Sequence, residues 1–130
     1  MQEVTAQPPP KGPSLREGAR AVVHVDDADL QRQRLALGNV ANLLADTDMA
    51  GARVEVVFNG PAISALAVGS VLAADLSALA ARGVGLLACS NSMAAAGISN
   101  AGLVPGVTVV PSGISHLVRR QHDGWAYVRP

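Results

Sequence analysis

The sequence predicts an α/β protein, a three-layer α/β/α sandwich around a mostly parallel five-stranded sheet. Three observations carry that reading. Short runs rich in Val, Leu and Ala recur along the chain, segments of helical period separate them, and the runs are near-continuously apolar rather than alternating. Strands buried on both faces have this last texture. Strand–helix–strand repetition builds parallel sheets through right-handed crossovers.

Taken in order, residues 1–18 hold Pro8, Pro9, Pro10, Gly12 and Pro13 and almost no large apolar side chain. They read as a disordered Pro-rich tail ahead of one α/β domain over residues 19–130. Strands are expected at 21–25, 54–58, 84–89 and 107–110, with a shorter last one at 125–128. Helical segments are expected at 29–45, 62–81, 92–96 and 114–121. Asp27 or Asp29 suits the cap of the first helix, Ser70 a helix over 71–81, and Ser90 or Asn91 the helix after the third strand. Gly51 and Gly83 stand where a left-handed residue ends a helix, and His122-Asp123-Gly124 reads as a tight turn. In the first helix Leu30, Leu35, Leu37, Val40, Leu43 and Leu44 form either one broad buried face or two, the second implying a subunit contact.

Composition narrows the function classes. With 130 residues the chain makes one domain of ordinary size, and 49% apolar residues suffice for a packed core. Lys+Arg and Asp+Glu are both 10, so the net charge is zero. That balance argues against nucleic acid as the main partner and against a polybasic membrane patch, and it tolerates self-association. Phe58, Trp125 and Tyr127 are the whole aromatic set, too few for a base-stacking surface. A single cysteine leaves no internal disulfide and no multi-cysteine metal site. The first residues lack a signal-like apolar stretch and no apolar run reaches membrane length, so the expected compartment is the cytoplasm. The three histidines lack metal-ligand spacing, and no GxGxxG, Walker-type or GxSxG motif is present. Neither a metal nor a cofactor is expected.

Ligands of open α/β sheets bind beyond the carboxyl ends of the strands. Those ends carry Asp26 and Asp27, then Asn59-Gly60-Pro61, then Cys89-Ser90-Asn91-Ser92, then Pro111-Ser112-Gly113. Cys89 is the candidate catalytic group, since amides at the start of the next helix would favour its thiolate. The competing reading is inert packing, the common fate of a lone cysteine. Asn59, Gly60, Asn91, Ser92, Ser112 and Gly113 are the candidate ligand-binding residues, with Gly60-Pro61 and Ser112-Gly113 able to offer free amides to an anion. His24 reads as a hydrogen-bonded core histidine, His116 as a helix-surface residue and His122 as part of a turn. Asp26 and Asp27 point opposite ways, and one of them suits a cap better than a carboxylate pair. Asn39 and Asn42 share a helical face as solvated or pocket-lining amides.

The strings VVHVDDADLQRQRLALGNVANLL (22–44), VEVVFNGPAI (54–63), GVGLLACSNSM (83–93) and PGVTVVPSGISHLVRRQHDGWAYVRP (105–130) resemble the DsrE/DsrF-like family in the family's own order. The resemblance implies a three-layer sandwich with five strands, assembly as a homo-oligomer (trimer or hexamer), and a sulfur-relay role. Sulfane sulfur would sit as a persulfide on Cys89, passing between donor and acceptor proteins. Many relatives carry histidine where this chain has Asn59. The rival expectation is a non-catalytic module of the same fold, binding a small anionic ligand or acting through assembly, with Cys89 structural.

Overall fold

The computed structural model describes residues 18–130, so the expected tail lies outside the described residues apart from Gly18. Strands β1 (Arg20–Val25), β2 (Arg53–Phe58), β3 (Gly85–Cys89), β4 (Val107–Val110) and β5 (Ala126–Val128) form one sheet. Its order is β4-β3-β2-β1-β5 and every pairing is parallel. The helices are α1 (Leu30–Ala45), α2 (Ala73–Ala81), α3 (Ser90–Ala96) and α4 (Gly113–His122). The chain forms the predicted α/β fold.

Strand order decides which face each helix covers. From β1 to β4 the chain steps across the sheet in one direction, so right-handed crossovers place α1, α2 and α3 on one face. The return from β4 to β5 runs the other way and places α4 on the opposite face. The core divides accordingly. Val23, Val56, Phe58 and Leu86 pack with Leu37, Leu76 and Met93, while Val22, Val57 and Leu87 pack with Leu117 and Trp125. The three central strands are buried on both faces, whereas β5 is an exposed three-residue edge.

Three helical expectations change. The segment 62–81 splits into a 3-10 helix, Gly60–Leu66, and α2. Between them Ala67 forms an antiparallel bridge with Leu103, flanked by bonds from Val68 N to Gly102 O and from Val104 N to Leu66 O, both 2.8 Å. This pairing extends the backbone there, and Gly69, at φ +87°, turns it back. Ser70 accepts from Leu72 N at 3.1 Å, just ahead of α2, rather than capping it. Gly83 follows α2 in the left-handed region as read, but α1 ends at Ala45 and Gly51 belongs to the turn into β2.

Helix α1 buries one face, through Gln33, Ala36, Leu37 and Val40, and leaves Leu30 and Leu35 exposed. Its cap is Asp29, which accepts from Gln31 N at 2.8 Å and Arg32 N at 3.4 Å. Asp27 in turn accepts from Asp29 N at 2.7 Å. Asp29→Ala is expected to cost about 1 kcal/mol, read as a lower urea midpoint at unchanged slope. An unchanged midpoint would show that Asp27 takes over the cap.

Candidate functional site

A crevice forms where neighbouring strands send their following helices to opposite faces. In this sheet that happens between β3, followed by α3, and β4, followed by α4. Cys89 ends β3 and pairs with Val110 of β4, so the thiol stands in the crevice. Its side chain shares the α4 face with Leu87, two residues earlier on the strand.

Only 4% of Cys89 is exposed, and that burial pushes its pKa up. The Ser92 hydroxyl and the backbone amides of Gly113, Ser92 and Asn91 outweigh it, holding the thiol below its ordinary value. Each donor has a local cause. Cys89 occupies the cap position of α3 without a capping hydrogen bond from its side chain, and the open amides of the first turn, Asn91 and Ser92, lower its pKa from there. Neither Ser90 nor Asn91 serves as the cap that the sequence suggested, and Ser90 is the first helical residue. Gly113 opens α4, where amides lack intrahelical partners. A Cβ there would lie 3.1 Å from Val57 Cγ1, 3.2 Å from Cys89 Cβ and 3.3 Å from Asn59 Cβ. Glycine is therefore what lets this backbone approach the sulfur.

The other predicted residues divide between bracing and lining. The Gly60 amide is not free, because it donates to Ser92 Oγ at 2.7 Å. That bond holds in place the Ser92 hydroxyl that lowers the Cys89 pKa. The Ser112 hydroxyl is likewise occupied, capping α4 by accepting from Ser115 N at 3.2 Å. Asn91 is exposed and lines an open groove with Gly60, Pro61 and Ser92. Asn59 directly follows β2 and stands beside Cys89, since Phe58 and Ala88 are register partners one residue earlier. Its Oδ1 accepts from His24 Nε2 at 2.6 Å. Asp26 and Asp27 pair elsewhere, with Arg129 at 3.1 Å and Arg32 at 3.8 Å.

The sequence matches this geometry to a known group. The model of the DsrE/DsrF-like family covers residues 20–130, which is all five strands and the whole crevice. This chain belongs to the DsrE/DsrF-like family. The family is associated with sulfur relay. Among solved structures, the protein of unknown function MTH1491 from Methanobacterium thermoautotrophicum is similar at 43% identity and a TM-score of 0.83. That match covers 86% of this chain and 99% of the other. The ychN protein of E. coli shares the fold at 15% identity and TM-score 0.72, over 87% and 99% of the two chains. BT1422 of Bacteroides thetaiotaomicron, a conserved protein of unknown function, shares it at 13% and 0.68, over 92% and 100%. No curated protein matches the chain.

Within this DsrE/DsrF-like domain, two features escape sequence reasoning. Tyr127 reaches His24 Nδ1 at 2.7 Å from β5, a residue 103 positions away in sequence. Glu55, His116 and Arg120 form a cluster under α4, so His116 is a half-buried partner rather than a surface residue. Both depend on strand order and on the face α4 covers. Among the described residues no His, Cys, Asp and Glu cluster has metal-binding geometry, and no helix is long and apolar enough to cross a membrane.

Proposed function

We propose that this chain carries sulfane sulfur as a persulfide on Cys89. The observation that supports the reading is the place of one buried sulfur at a strand end between the first turns of two helices, α3 and α4, where the Ser92 hydroxyl and the nearby amides lower its pKa. A packing cysteine has no use for donors that favour its anion. A carrier uses the thiolate twice, as nucleophile and as leaving group.

The step conserves atoms and electrons. Cys89 thiolate attacks the outer sulfur of a donor persulfide, R–S–SH. The donor S–S bond breaks, its electron pair leaves with R–S⁻, and Cys89 holds –S–SH, which releases its proton to solvent. In transfer an acceptor thiolate attacks the outer sulfur and Cys89 departs as thiolate. Neither half consumes an external oxidant.

Incubation with inorganic polysulfide is expected to add one sulfur atom to the intact chain by mass spectrometry, and none to Cys89→Ser. Access is tested by alkylation of the native thiol, expected to proceed with an apparent pKa below that of the denatured chain. A native protein that takes up no sulfur and is alkylated only after unfolding would return Cys89 to the packing role.

A further inference from the structure

His24 is only 7% exposed, yet both ring nitrogens are bonded to side chains from neighbouring strands. The chemistry of the partners fixes the direction of each bond. An amide oxygen only accepts, so Nε2 carries the proton toward Asn59 Oδ1. In that tautomer Nδ1 presents a lone pair, and the Tyr127 hydroxyl donates to it. The Tyr127 and His24 rings lie 5.7 Å apart and tilted by 56°, which holds the hydroxyl at the edge of the imidazole. The series runs Tyr127 to His24 to Asn59 across β5, β1 and β2, all on the α4 face of the sheet.

Because its oxygen is committed to His24, Asn59 turns its NH₂ group away from the imidazole. Among the described residues Nδ2 has no protein hydrogen-bond partner, and it is not a buried orphan, so it is open to solvent. Asn59 is the lateral neighbour of Cys89 at the ends of adjacent strands, which run about 4.8 Å apart. Asn59 is also not among the groups that hold the Cys89 thiolate itself. It leaves Sγ to Ser92 and the amides, while its side chain leaves the backbone next to that of Cys89, the two Cβ atoms lying 3.3 and 3.2 Å from the same point over Gly113. A second sulfur would extend about 2 Å beyond Sγ.

Resting on the persulfide reading, we propose that Asn59 donates from Nδ2 to the outer sulfur of a Cys89 persulfide, and that His24 and Tyr127 are positioning residues that aim it. Tyr127 holds the His24 ring by donating to Nδ1, and His24, with its proton on Nε2, holds the Asn59 oxygen and so the orientation of the amide. The donor thereby distinguishes the loaded from the unloaded protein, because it meets an anion only when the second sulfur is present.

Asn59→Asp is the sharpest test. It keeps an oxygen for His24, turns the far atom from donor to acceptor, and adds a negative charge that opposes the outer sulfur's anion. The equilibrium constant for loading from inorganic polysulfide is expected to fall at least about tenfold, the scale of one lost charge-assisted bond. Tyr127→Phe removes a hydroxyl from a half-exposed side chain and touches neither sulfur. It is expected to lower loading severalfold while leaving the thermal midpoint near that of the parent. The thiolate absorbance of the unloaded Tyr127→Phe protein, measured against the same variant carrying Cys89→Ser, should titrate as in the parent. A purely structural Tyr127 would shift the midpoint and not the loading. Loading of both variants equal to the parent overturns the relay and leaves the persulfide reading standing. A parent chain that never loads removes both.

Discussion

Gly113→Ala is expected to destabilise the protein by about 1–3 kcal/mol, the usual cost of an extra methyl in a filled site, and to raise the apparent pKa of Cys89. The two effects share one cause. The new Cβ would meet Val57 Cγ1, Cys89 Cβ and Asn59 Cβ at 3.1, 3.2 and 3.3 Å, three neighbours in or just after the adjacent strands β2 and β3. None is the free end of a long flexible chain, so α4 has to lift from the sheet. Lifting it withdraws the Gly113 amide from the sulfur, and burial then acts on a thiolate with one fewer donor. Urea unfolding reads the first effect and thiolate absorbance across pH the second. Gly38→Ala is the matched control, because nothing lies within 4 Å of a Cβ there. A stable Gly113→Ala protein with an unchanged thiol would mean that α4 contributes nothing to the sulfur.

The same glycine shows what was legible in the sequence. Apolar runs separated by helical periods identified all five strands to within a residue, and in β1, β2 and β3 burial on both faces accounts for that local signature. Cys89 stood out because a strand end is visible in one dimension. That the crevice falls beside it was not visible, because the crevice depends on β5 returning to pair with β1. Ser112 and Gly60 illustrate a different limit. Their residue types suit anion binding, but Ser112 caps a helix and Gly60 donates to Ser92. Residue type shows what a group can do, and the partner it finds in the fold decides what it does. The split of 62–81 has a similar origin, since a backbone pairing with residues 102–104 overrides a helical pattern.

Glu55→Gln is expected to cost about 2–3 kcal/mol, at the lower edge of what breaking a buried ion pair costs because the cluster keeps some solvent. Arg120 donates to both carboxylate oxygens at 2.8 Å, and His116 Nε2 donates to Oε1 at 2.8 Å. The side chains of Glu55 and Arg120 are 15% and 29% exposed. The carboxylate joins the middle of the sheet to two turns of α4, and Arg120 also lies over the Trp125 ring, 4.5 Å from its centroid. Burial alone would raise the Glu55 pKa. The bonds and charges of Arg120 and His116 overcome it and hold the carboxyl below its ordinary value of 4.5. A folded-state pKa below the unfolded one gives stability that is present above pH 4.5 and is lost as pH falls through the folded value. The difference in unfolding free energy between parent and Glu55→Gln should therefore be full at neutral pH and shrink as the pH drops below 4.5. A constant difference down to strong acid would mean that the charge on Glu55 is immaterial and only its shape matters. Because α4 begins at Gly113, loosening this anchor should also raise the apparent pKa of Cys89. An unmoved thiol in Glu55→Gln would show that the first turn of α4 is held independently of its last.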